Sequence, residues 1–153
     1  DLVPQASDTT PPPLPQSGTT AAMSDAERAY AMEVLRLTNE ERARAGLGSL
    51  EWHEAGAAAA YGHSLDMDLR SFFNHVNPSG EDPGARIAAQ NIAPVWGWGE
   101  NIAQGYPSPA AVVAAWMASE GHRENILHPT FTHLGVGVHG PSSIWWTQAF
   151  GRR

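Results

Sequence analysis

The chemistry open to this chain is set by seven histidines, 16 carboxylates and no cysteine. That inventory excludes a disulfide framework, a thiolate zinc site and a cysteine nucleophile together. Imidazole and carboxylate remain as metal ligands or acid–base groups, and three of them stand where a side chain is free to face a cleft. His75 lies in Phe72-Phe73-Asn74-His75-Val76-Asn77-Pro78, where a helical pattern gives way to loop. Glu100 lies in Gly99-Glu100-Asn101-Ile102-Ala103, an acid among glycine and apolar neighbours that must be paired or protonated if buried. His122 lies in Ser119-Glu120-Gly121-His122-Arg123, just past an amphipathic helix, where flexible backbone turns the imidazole inward. Two neutral imidazoles with a carboxylate between them suit zinc or a similar divalent cation and leave a position for water. Each also has a plainer reading: His75 as a loop histidine or helix cap, Glu100 as a solvent-facing residue of a strand or turn, His122 as the cap of the preceding helix. His63, at helical spacing from Met67, reads as structure rather than ligand, and His53, His128, His133 and His139 have no evident partner. His-Glu-x-x-His, Gly-x-Ser-x-Gly, phosphate-loop and calcium-loop signatures are all missing.

The elements that must position these residues follow from local pattern. Residues 1–23 are rich in Pro, Ser and Thr and read as an extended tail or linker, of the kind that spaces a bacterial domain from an export signal or anchor. The domain proper is expected over 24–153. Ser24-Asp25-Ala26-Glu27 is a capping box, and Tyr30, Val34, Leu37 and Glu41 mark one face of a helix that Gly46 and Gly48 end. A second, Ala-rich helix is expected from Trp52 to about Phe72. Most of 74–99 reads as loop with a short helix over 85–90. Ser108-Pro109 starts a helix that carries Val112, Val113, Trp116 and Met117 and ends near Gly121. Thr132–His139 alternates as a strand, and Ile144–Phe150 is apolar on both faces, as a covered strand should be. Gly135 and Gly137 on one strand face allow a helix to lie close to the sheet. The expectation is an α+β fold, a three-layer α/β/α sandwich around a small, mainly antiparallel sheet.

Length and charge bound the function. One domain fits 153 residues, and about 130 ordered residues bury roughly two thirds of their unfolded surface, enough to hold together without disulfides. Nine arginines and no lysine against 16 acids give 9 − 16 = −7, the wrong sign for tracking phosphates, so nucleic acid is not expected as a partner. No apolar run approaches the length of a transmembrane segment. Trp96 and Trp98, in a Gly-rich loop before Glu100, offer apolar area with a polar handle at the edge of a cleft, or equally a cover over the core.

Taken in order, Leu37-Thr38-Asn39-Glu40-Glu41-Arg42, His63-Ser64-Leu65-Asp66-Met67, Phe73-Asn74-His75-Val76-Asn77-Pro78-Ser79-Gly80, Gly99-Glu100-Asn101-Ile102-Ala103, Trp116 to Leu127 and Gly135-Val136-Gly137-Val138 resemble the CAP superfamily. That superfamily comprises cysteine-rich secretory proteins, antigen 5 and pathogenesis-related proteins, also called the SCP domain. The likeness covers roughly 27–151 and is to cysteine-free bacterial members. It implies an α/β/α sandwich, secretion, and a cleft with two histidines and two glutamates, in which His75 is the first histidine, Glu100 the first glutamate and His122 the second histidine. Where animal and plant relatives carry the second glutamate, shortly after Trp116, this chain has Ser119, with Glu120 beside it. In some members the cleft histidines bind divalent metal, and roles in the superfamily range over sterol or lipid binding, extracellular signalling and proteolysis.

The expected protein is therefore a secreted or cell-surface-tethered binding module. Its metal ligands would be His75 and His122, holding zinc or another divalent cation, with Glu100, Glu120, Trp96 and Trp98 toward a small-molecule or lipid ligand. A metal-dependent hydrolase with Glu100 as general base and an adhesive cell-wall or protein-binding module are the alternatives. Enzymatic activity is not the favoured reading, because a fold is a weak warrant for a reaction.

Overall fold

The computed structural model describes residues 22–90, 96–140 and 143–152. The tail expected over 1–23 thus lies outside the described residues except for its last two positions, as does the side chain of Trp96.

Helix α1 spans Asp25–Arg44 and opens on the expected capping box: the Ser24 hydroxyl accepts from the Glu27 amide, and the Glu27 carboxylate accepts from the Ser24 amide at 2.8 Å. Its buried stripe is Ala31, Val34, Thr38 and Arg42, one residue around the helix from the stripe expected on Tyr30, Leu37 and Glu41. Tyr30 is instead 39 % exposed, with its ring stacked on Trp146. The rotation brings in Arg42, 2 % exposed, which donates to the carbonyls of Gly48, Ile126 and His128 at 2.8–2.9 Å. A buried guanidinium with several carbonyl acceptors replaces the water it has lost, and no hydrophobic period signals it.

After the short strand β1 (Glu51–Trp52), α2 covers Glu54–Leu69. It stops before Phe72 because Ser71 turns into left-handed backbone at φ 55°. Helix α3 (Pro83–Ala88) starts two residues earlier than expected, with Asp82 accepting from the Ala85 amide and proline in the first turn. The region beyond it holds an element that pattern did not reveal: β2, Trp96–Gln104. Helix α4 (Pro109–Met117) ends earlier than expected, and α5 (Glu120–Ile126) restarts after Ser119, whose backbone is extended. His122 therefore sits within a helix. Strands β3 (His133–His139) and β4 (Trp145–Arg152) form the expected pair, although residues 141–142 of the intervening turn lie outside the described set.

The sheet order is β1-β3-β4-β2. Only the two-residue β1–β3 pairing is parallel, and the rest is antiparallel. On one side α1, α4 and α5 enclose Val34, Val112, Trp116, Ile126, Leu134, Val136 and Trp146. On the other, α2 and α3 cover Ile102, Trp145 and Ala149 with Met67, Ala59, Ala60 and Ile87. This is the α/β/α sandwich, and its edge strand β2 lies where both layers can reach around it.

Helix α2 lies against the sheet backbone to backbone at the two glycines of β3. A Cβ on Gly135 would stand 2.1 Å from the Ala57 amide nitrogen, and one on Gly137 2.1 Å from that of Tyr61. Backbone faces backbone there, so no side chain can swing aside. Gly137→Ala should cost about 3 kcal/mol or more, at the upper end of overpacking, read from urea unfolding. A loss below about 1 kcal/mol would contradict this packing.

Candidate functional site: a buried carboxylate between two layers

Glu100 lies on edge strand β2 opposite Ala149 of β4, its side chain facing the α2–α3 layer. It is 7 % exposed. His75, on the loop after α2, donates from Nδ1 to Glu100 Oε1 at 2.8 Å, because a carboxylate only accepts. Arg86 of α3 donates from Nη2 to Oε2 at 2.6 Å, and from Nη1 to the carbonyls of His75 and Glu81 at 2.8 and 2.9 Å. Two of the three residues singled out for one site, His75 and Glu100, are thus in contact, joined by an arginine that sequence reasoning did not select. His63 is fully buried: Nε2 donates to the Asn74 carbonyl at 2.8 Å and lies 3.9 Å from Glu100, while Nδ1 meets no hydrogen-bond partner.

His122 approaches from the other layer. Its Nδ1 lies 2.8 Å from the Ser119 hydroxyl. Ser119 is the N-cap residue of α5 yet makes no side-chain bond to the helix backbone. A hydroxyl that usually caps amides is instead directed at the imidazole. At the position where relatives carry a glutamate, Ser119 therefore partners His122, while Glu120 begins α5 on the exposed surface. The His122 carbonyl accepts from Asn101, which also bonds Gln148 and accepts from Asn125; Asn125 in turn donates to the Glu100 carbonyl. Trp98 is 46 % exposed, its indole resting over Gly84 of α3, where a Cβ would come within 2.6 Å of Nε1. It packs on one face and lines the surface with the other.

The remaining histidines hold the fold. His53 caps α2 by accepting from the Gly56 amide, His128 accepts from Thr130, His133 pairs with Glu51, and His139 with Asp68. Among the described residues no three His, Asp or Glu side chains gather as a metal-ligand cluster.

Burial raises the Glu100 carboxyl, but the hydrogen bond from His75 and the positive charge around it win, so it stays below the usual carboxylate range. Among those neighbours Arg86 carries the permanent charge. Burial pushes His63 down to about 4, against an opposing pull from Glu100. Burial, with His75 nearby, likewise lowers His122 to about 4. Both are neutral near pH 7, the form that ligates metal.

This sandwich, with paired histidine and glutamate at its sheet edge, defines a class that the comparisons make specific. The sequence model of the cysteine-rich secretory protein family, CAP, matches residues 35–150. The chain belongs to that family. It is 40 % identical over 137 residues to YkwD of Bacillus subtilis, spanning 90 % of this chain and 53 % of YkwD. It is 39 % identical over 121 residues to the B. subtilis membrane protein YlbC, spanning 79 % of this chain and 34 % of YlbC. It thus spans about half or less of the length of these relatives. An extracellular SCP-domain protein from Bacillus anthracis superposes with TM-score 0.79 at 33 % identity, over 87 % of this chain and 45 % of that one. An outer surface protein of Borrelia burgdorferi shares the fold at TM-score 0.76 and 19 % identity, over 86 % of this chain and 96 % of that one.

The neutral histidines make stability depend on pH. The unfolded chain protonates histidine near 6.5 and the fold resists until about 4, so the stabilisation is complete above pH 6.5 and is lost as pH falls from 6.5 toward 4. For fully buried His63 the loss is on the order of 3 kcal/mol. Urea unfolding at pH 7.5 and 4.5 should show the fall, and His63→Gln should reduce it. Equal pH dependence in wild type and variant would contradict a neutral buried His63.

Proposed function

We propose that this CAP domain is a secreted, non-catalytic binding module whose His75–His122 pair holds a divalent cation, zinc above all, as an anchor for a small-molecule or lipid ligand. One observation carries the reading: each imidazole has its Nδ1 engaged by a separate partner, Glu100 or Ser119. A carboxylate or hydroxyl on Nδ1 is the arrangement of outer partners that histidine metal ligands use. Two neutral imidazoles with water completing the shell fit zinc better than calcium or magnesium, which prefer oxygen. The bound cation would supply positive charge to a polar ligand group, and Trp98 would supply apolar area beside it.

Glu100 is poorly placed as a general base. Its two oxygens are committed to His75 and Arg86, and a carboxylate held below its ordinary range is a weak proton acceptor. This supports binding over hydrolysis. Two structural relatives are an extracellular protein and an outer surface protein, which supports a location outside the cell, and no helix of the described residues is long and apolar enough to cross a membrane.

Calorimetric titration of the chelator-treated domain with Zn²⁺ at pH 7.5 should show one site, absent in a His75→Ala/His122→Ala variant. Ser119→Ala should weaken it about 10-fold, the lower end for an outer partner. Absence of binding in wild type, or equal binding by the double variant, would reject the reading and direct the search to cell-wall and protein partners.

A further inference from the structure

Arg86 touches one residue of the site in two ways. Nη1 holds the main chain of His75 at its carbonyl, and Nη2 holds the carboxylate that receives the His75 ring. The third bond, to the Glu81 carbonyl, closes the loop between them. His63 secures the preceding carbonyl, at Asn74. Both ends of the His75 residue, backbone and ring, are thus referred to a single guanidinium.

That guanidinium is itself fixed. Its side chain is 10 % exposed, and α3, only six residues long, is anchored by buried Pro83 and by Ile87 packed on Ala59, Ala60 and Ala149. Arginine is suited to the task because its planar fork reaches two acceptors with set geometry, whereas a lysine ammonium is a point charge.

The consequence lies in the imidazole. With Glu100 charged and Arg86 on Oε2, Oε1 accepts the Nδ1 proton, and in a neutral ring Nε2 then keeps its lone pair. Remove Arg86 and Glu100 loses its permanently charged partner, so nothing holds Oε2 and the carboxylate is released to turn away from Nδ1. The His75 carbonyl is released at the same time.

We propose that Arg86 is the positioning residue of the site, fixing the backbone of His75 and, through Glu100, selecting the Nδ1–H tautomer of its ring. The metal consequence rests on the function proposed above, but the tautomer does not. The test is nitrogen-15 NMR of the imidazole rings in metal-free protein at pH 8, with His75 assigned by its loss in His75→Gln. Wild type should show a single Nδ1–H form. Arg86→Gln should show mixed tautomers weighted to the Nε2–H form that free histidine favours, and Arg86→Lys an intermediate pattern. A merely structural arginine would lower the melting temperature and leave the tautomer alone. An Nε2–H ring in wild type, or an unchanged tautomer in a folded variant, overturns the proposal. If Arg86→Gln does not fold, Arg86→Lys and wild type still decide it. In parallel, Arg86→Gln should weaken zinc binding about 10- to 100-fold. If wild type takes no zinc, the metal reading fails while the spectra still judge Arg86.

Discussion

Burying the Glu100 carboxylate obliges two other parts of the chain to converge on it. An ion removed from water costs several kcal/mol unless opposite charge and hydrogen bonds replace the lost hydration, and here the replacements come from separate elements. The loop after α2 delivers His75 and α3 delivers Arg86 to the carboxylate, while α5 sends Asn125 to the backbone carbonyl of the same residue. The edge position of β2 makes this possible, since groups from both layers reach it without crossing the sheet. The pair of Glu100 and Arg86 leaves little net charge at the edge.

A second set of polar ties keeps His122 at its distance. Thr38 on α1 accepts from Gln148 on β4, Gln148 accepts from Asn101 on β2, and Asn101 donates to the His122 carbonyl. Thr38, Asn101 and Gln148 are fully buried, so a break in the chain would leave unpaired polar atoms in the core, the arrangement that makes buried networks specify one geometry. Several motif residues that mark the family are explained in this way without chemistry of their own. Asn39 exchanges two hydrogen bonds with the Leu50 backbone, Arg42 clamps the end of α5, and Ser64 ties α2 to Gly137 and Thr147.

What sequence made legible is what short-range physics determines. The capping box at Ser24, the proline-led start of α4, the alternation of β3 and the close approach at Gly135 and Gly137 all announce themselves within a few residues. Strand β2 did not, because Trp96-Gly97-Trp98-Gly99 has the composition of a loop and becomes a strand only through its register on β4. The division of α4 from α5 was hidden because Gly121 looks like a stop, whereas the break comes at Ser119. His75 and Glu100 were identifiable as candidates for one site, but Arg86 was not: it is 14 residues from Glu100 on a short helix, and nothing local distinguishes it from a solvated arginine. The start of that helix at Asp82-Pro83 lies two residues ahead of the expected one.

Both Glu100 oxygens are engaged, one by His75 and one by Arg86, and the proposed reading gives this carboxylate the task of orienting His75. Anomalous diffraction at the zinc edge from crystals of the domain grown with Zn²⁺ tests this most directly. The predicted result is one zinc about 2.0–2.1 Å from the Nε2 atoms of His75 and His122, with Glu100 still on Arg86 and His75 Nδ1. Zinc bound by a Glu100 oxygen, or bound without either histidine, would contradict it.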